Sequence, residues 1–260
     1  MAAASVQKPY TKAGTDYLEN LTRWLQETRL MSEAIIRLRN DYQRDGIVRF
    51  DATSWPKPQM QQLPLSEFTI KPVVLAQRME SLLKNLWATR FVFLETMWEE
   101  YLQELVQELR HQNATIFEPF CERDFMAEVV RNVLTDNIAS IDEIKNEIAT
   151  RFATGITRGS WEIQWKHLSR LQIGLTEKDT SLLWFSKLAT YFEMRNCIIH
   201  LQGRVTLSLR KRDKFYNDKQ QVEIWPPHLD FFRHQFIACL LHIEGKIEDR
   251  LKASMKKSPV

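Results

Sequence analysis

Leu75, Met79, Leu82, Leu86, Phe93, Met97, Tyr101, Leu105 and Leu109 recur at steps of three and four residues. That period puts them on one face of a helix, so residues 73 to 112 read as a single very long helix, the spine of a bundle. Trp87 and Trp98 on the same stretch add large contact area and read as core. The chain has only seven glycines in 260 residues, which favours long helices over turn-rich sheets. The fold class expected is all-α.

Other helices can be placed around this spine. A first amphipathic helix begins at Thr15 and carries Leu18, Leu21, Trp24, Leu25, Met31, Ile35 and Leu38 before Gly46. Pro56, Pro58, Pro64 and Pro72 then mark an extended connector. Beyond the long helix, shorter ones are expected over 122–134, 141–152 (after a Ser140/Glu143 capping box) and 160–171. Thr176 with Asp179 announces the next helix, which carries Leu182, Phe185, Leu188, Phe192 and Ile199. After Gly203 the period changes to two: Val205, Leu207 and Leu209, then Val222 and Ile224, predict a small β-hairpin. A closing helix over 227–254 follows Pro226-Pro227. The chain thus divides into an N-terminal amphipathic helical segment (1–50), a proline-containing connector (51–72), a helical domain (73–254) and a basic tail (255–260).

An apolar fraction of 44% and a charged fraction of 27% are those of a soluble globular protein. Cys121, Cys197 and Cys239 are too few and too scattered for a disulfide framework or a zinc knuckle. No signal peptide or membrane span is legible. A cytoplasmic setting, with no membrane contact, is the expectation. Gly155-Ile-Thr-Arg-Gly159-Ser lacks the lysine of a phosphate loop, and His228, His234 and His242 are not spaced for a metal face.

The chemistry concentrates in Tyr191-Phe-Glu-Met-Arg-Asn-Cys-Ile-Ile-His200. An apolar helix that keeps Arg195 and Asn196 must pair them or use them. Asn196 and His200 are four residues apart and share a face, whereas Arg195 and His200 diverge by about 140°. Arg195 must reach around the helix or meet the histidine of another subunit. A structural ion pair for Arg195, with His200 closing the helix ahead of Gly203, is the plainer alternative. Cys197 reads as a small buried residue.

Arginine, a polar residue, three more residues and a histidine, late in an apolar helix and followed by glycine, resembles the HEPN superfamily. The likeness covers residues 191–203 in motif and about 74–254 in organisation. It implies a HEPN-like helical bundle with a β-hairpin after the motif helix and an N-terminal helical extension. It further implies a homodimer in which two motif helices face each other, and a metal-independent endoribonuclease with Arg195, Asn196 and His200 as catalytic residues and no cofactor. A toxin or effector of a prokaryotic defence or toxin–antitoxin system, restrained by an antitoxin or sensor protein, would follow. Such proteins commonly carry a charged residue facing the site, and Glu99 or Glu100 on the long helix could take that place beside Arg195.

Arg204, Arg210, Lys211, Arg212, Lys214 and Lys219 are opposed only by Asp213 and Asp218, a local excess larger than the +3 of the whole chain. Next to His200 this run could steer an RNA backbone, with Phe215 and Tyr216 stacking on bases, or it could be a solvated tip. A non-catalytic helical module that binds RNA or protein through residues 15–44 is the alternative of a different class. A metal-dependent nuclease is disfavoured for want of an acidic cluster.

Overall fold

The computed structural model describes residues 8–44, 48–51, 67–70, 72–112, 143, 150, 152–157 and 159–255. Helices α1 (Lys12–Arg44) and α2 (Pro72–Gln112) are joined through strands β1 (Val48–Asp51) and β2 (Glu67–Ile70). Then come α3 (Trp161–Arg170), a 3₁₀ turn at Glu177–Ser181, α4 (Leu183–His200), α5 (Leu207–Arg212), a second 3₁₀ turn at Lys214–Tyr216, and α6 (Pro226–Met255). The helices expected at 122–134 and 141–152 fall largely outside the described residues. By contact density the chain divides into Met1–Thr22 with Phe91–Val260, and Arg23–Arg90.

In the first unit the core is aromatic. Trp98 of α2 lies 5.5 Å from Phe236 of α6 and 6.0 Å from Trp161 of α3, and Trp161 stacks on Phe192 of α4 at 5.5 Å. Offset and edge-on rings at such separations add to the burial of their large areas. α4 packs chiefly along α6. The buried face of α2 is Phe91, Leu94, Trp98, Leu102, Leu105 and Leu109, whereas Leu82 and Phe93, assigned to the core stripe from spacing, are exposed. α2 is apolar on more than one face, so its period fixes the helix without fixing which stripe is covered.

The start of α1 is held by carboxylates from other helices. Glu244 of α6 accepts hydrogen bonds from the N–H groups of Tyr10 (3.0 Å) and Thr11 (2.7 Å) and from the hydroxyls of Thr11 (2.7 Å) and Tyr101 (3.0 Å). Glu108 of α2 accepts from the N–H groups of Lys12 and Ala13 at 3.1 and 3.0 Å. Both acids sit where a helix exposes unpaired donors and partial positive charge. The cap is therefore Thr11, whose hydroxyl accepts from Gly14 N–H at 3.0 Å, and not Thr15. A Cβ on Gly14 would come within 2.6 Å of Glu244 Oε1, so only glycine admits this approach.

In the second unit β1 and β2 pair antiparallel, Val48 opposite Ile70 and Asp51 opposite Glu67. These strands border a segment read from its prolines as an extended connector. Trp87 of α2 donates its Nε1–H to Ser32 of α1 at 3.0 Å, and Arg90 lies 3.7 Å from Glu27.

The hairpin expected after Gly203 is not formed. Backbone hydrogen bonds from Val205 N–H to the Gln220 carbonyl and from Val222 N–H to the Gly203 carbonyl make a single antiparallel bridge. Above it the chain winds into α5 and a 3₁₀ turn. Thr206 caps α5 by accepting from Leu209 N–H at 3.1 Å, and Asp213 caps the 3₁₀ turn by accepting from Phe215 N–H at 3.0 Å. Arg210, Lys211 and Arg212 occupy the last turn of α5, where cations suit the helix dipole. Two local caps outweigh the alternation of Leu207 and Leu209, of which only Leu209 is buried.

Candidate functional site

The Thr176/Asp179 box, expected to open the motif helix, instead caps the 3₁₀ turn Glu177–Ser181, and α4 begins separately at Leu183 with no side-chain cap. Asp179 accepts from Thr176 N–H (2.6 Å) and from its hydroxyl (3.0 Å), and His242 of α6 lies 2.9 Å from the other carboxylate oxygen. Burial alone would raise the Asp179 pKa, but Thr176, His242 and Lys246 together hold it below the usual carboxylate value. His242 thus ties α6 to the 3₁₀ turn that precedes α4.

Along α4 two contacts with α2 follow one another. Tyr191, fully buried, donates its hydroxyl to the Phe91 carbonyl at 2.6 Å. One turn later Arg195 Nε meets Glu95 Oε2 in a direct ion pair.

Glu95 is 5% exposed, amid Phe91, Leu94, Met97 and Trp98 of its own helix. Burial pushes its carboxyl up to about 7 against the pull of Arg195, and the charge of neighbouring Glu99 adds to the rise. Glu99, one turn on, is half-buried and also raised, by burial first, with Arg195 opposing. Of the acids proposed from sequence, Glu99 thus lies in the field of Arg195, Glu100 is exposed, and the direct partner is Glu95. The signal was available: one acid in the apolar run Phe91-Val-Phe-Leu-Glu-Thr-Met-Trp98.

The Arg195 side chain remains 25% exposed. Its Nη1 donates to Asn196 Oδ1 at 3.2 Å, so the guanidinium is held by both Glu95 and Asn196. His200 is the last residue of α4 and is exposed. Behind it the N–H groups of Leu201 and Gly203 both donate to the Cys197 carbonyl, and the chain turns through positive φ at Gln202 (52°) and Gly203 (82°). Ile199 and Leu201, on either side of His200, are exposed apolar residues. Arg195 and Asn196 are thus brought together, and His200 stands apart at the helix end. Cys197 is buried, as its small apolar character suggested.

The cationic run splits into two sets. Arg210 Nη2 donates to the Lys219 carbonyl at 3.2 Å, and Arg212 pairs with Glu162 at 2.5 Å and lies 3.8 Å from Glu193. Arg204, Lys211 and Lys214 are exposed and form no ion pair among the described residues. Tyr216 is not available for stacking on a base: it is buried, its hydroxyl meets Met194 Sδ at 3.4 Å, and burial pushes its pKa up to about 12. Its neighbour Phe215 is the exposed ring, with Lys219 Nζ 5.5 Å above it.

Among the described residues no group of three or more histidine, cysteine or acidic side chains is placed to hold a metal ion. Nor is any helix there long and apolar enough to cross a membrane. No family model, curated protein or solved structure matches this chain.

Proposed function

We propose that this chain is a metal-independent endoribonuclease of the HEPN type, acting at Arg195, Asn196 and His200. The observation that carries the reading is the treatment of Arg195. It is a half-buried guanidinium fixed by Glu95 and Asn196 on an apolar helix, with a quarter of its side chain still exposed and an exposed histidine at the end of the same helix. A fork held in this way loses little freedom on gripping a phosphate.

In the proposed reaction the 2′-hydroxyl of the RNA attacks the adjacent phosphorus. His200 takes or supplies the proton, a role worth roughly 10²–10⁴ in rate. Arg195 stabilises the charge that builds on the phosphoryl oxygens, and Asn196 orients Arg195. The 5′-oxygen leaves with a proton, giving a 2′,3′-cyclic phosphate and a 5′-hydroxyl. Because Arg195 and His200 diverge around α4, the site is composed across a two-fold axis, Arg195 from one subunit and His200 from the other. Exposed Ile199 and Leu201 beside His200 suit such a contact. The setting proposed is a cytoplasmic toxin or effector restrained by an antitoxin or sensor.

The test is the chemistry of the product ends. Fragments ending in 2′,3′-cyclic phosphate, together with resistance of 2′-O-methylated RNA, support the reading. Cleavage of 2′-O-methylated RNA at an undiminished rate contradicts it.

One observation favours a second reading, a helical binding module. Leu30, Met31 and Leu38 on the later half of α1 are exposed, which leaves that half of its apolar stripe for a partner. Under that reading Arg195→Ala and His200→Ala leave the activity of the protein intact.

A further inference from the structure

Between the loop after α5 and the start of α6 lies a cavity of about 310 Å³. Phe215 and Trp225 line it, 62% and 41% exposed, with Lys219, Gln220 and Gln221. The Phe215 ring is presented on a firm mount. Asp213 caps the turn that carries it, Tyr216 anchors that turn in the core, and Lys219 sits over the ring. Trp225 is positioned by its N–H, which donates to His228 Nδ1 at 3.1 Å.

The charges of the cavity argue against a phosphate. Asp218 and Glu223 line it together with Lys219, and burial lowers the pKa of His228, which favours its neutral form. A neutral aromatic ligand with amide-like edges fits better. The Phe215 ring offers a face for stacking, Gln220 and Gln221 can donate and accept, and Asp218 can accept from exocyclic amines.

The cavity wall is also tied to the motif. Gln220 to Val222 bridge to Gly203 and Val205, and Gly203 is the third residue after His200. Three residues span at most about 10 Å, and one strand spacing adds about 5 Å. The cavity therefore lies within a nucleotide or two of His200.

We propose that this cavity, lined by Phe215 and Trp225, binds an unstacked nucleobase of single-stranded RNA and so selects single-stranded over duplex substrate. The proposal rests on the ribonuclease reading for its substrate, but its test measures binding and does not require cleavage. Duplex RNA keeps its bases stacked and cannot offer one to the pocket.

The experiment uses the full chain carrying His200→Ala, so that RNA survives, and fluorescence anisotropy with three probes. These are a labelled single-stranded RNA, the same sequence as a duplex, and the same strand with abasic residues. The single strand should bind most tightly. Phe215→Ala and Trp225→Ala, each added to His200→Ala, should weaken it by about five-fold to a hundredfold, the range for loss of one base stack. Neither change should alter binding of the abasic strand. Equal affinity for normal and abasic strands, or no effect of either ring, overturns the proposal. Phe215→Leu controls for folding, because it keeps the apolar bulk and removes the ring. If the wild type cleaves no RNA while the ring-dependent preference persists, the ribonuclease reading fails and the base pocket stands.

Discussion

Glu95 of α2 and Arg195 of α4 form a direct ion pair, one turn from the hydrogen bond that Tyr191 donates to the Phe91 carbonyl. The carboxylate is the more buried partner, and burial raises its pKa to about 7 even with Arg195 beside it. At neutral pH the arginine is therefore held by an acid close to its own titration point.

This pair gives stability a pH dependence. The folded pKa of Glu95 lies above the 4.5 of a free glutamate. Its contribution is therefore complete below about pH 4.5 and is lost as the pH rises through about 7. The loss is on the order of 3 kcal/mol, for a carboxyl raised from 4.5 to about 7. Glu95→Gln cannot ionise, so its urea midpoint relative to wild type should rise between pH 5 and pH 8. Arg195→Ala should destabilise more at pH 8 than at pH 6, because at pH 6 the wild-type carboxyl is already mostly protonated. An Arg195→Ala penalty independent of pH would contradict the assignment.

Asp179 works in the opposite sense. Its folded pKa lies below the free value, so its contribution is present above about pH 4 and is lost as pH falls through the folded value. Asp179→Asn should cost about 1–2 kcal/mol at pH 7, as loss of a capping carboxylate does. It should also flatten the acid limb of the stability profile, measured by denaturant unfolding from pH 2 to 6.

Glu244 accepts four hydrogen bonds from the segment before α1 and from Tyr101, and is 2% exposed. Glu244→Ala leaves those buried donors unmatched and should cost about 2–4 kcal/mol. Amide exchange at Tyr10 and Thr11 should accelerate. Glu244→Gln retains acceptor capacity on one oxygen and should cost less.

If each site draws Arg195 from one subunit and His200 from the other, mixing two inactive variants restores it. Equal amounts of Arg195→Ala and His200→Ala, exchanged to equilibrium, give half heterodimers with one intact site each. The mixture should recover about a quarter of wild-type cleavage. No recovery, in a mixture shown to contain heterodimers, would place both residues in one subunit.

The helices were legible wherever period and punctuation agreed. Residues 73–112 were read as one helix, and α2 spans Pro72–Gln112. The end of α4 at His200 and the proline start of α6 stand as spelled, whereas the Thr176/Asp179 box caps a 3₁₀ turn ahead of α4 and not α4 itself. The failures share one cause, that local pattern is silent about what packs against it. Leu207 and Leu209 alternate like a strand, but the caps at Thr206 and Asp213 decide for helix. Tyr216 turns inward and Phe215 outward, a choice made by the contact with Met194 on α4. Glu95 was passed over for Glu99 and Glu100 because its value comes from its apolar neighbours and from a helix far along the chain. At the candidate site the residue types were readable and the partner was not.

The most direct test of the central claim is cleavage of total cellular RNA by purified wild-type protein in excess EDTA, beside His200→Ala and Arg195→Ala. His200 is exposed at a helix end, so its loss leaves the fold intact. The account predicts cleavage by wild type, a fall of about 10²–10⁴ in rate for His200→Ala, and loss for Arg195→Ala. Cleavage by His200→Ala at the wild-type rate would contradict it.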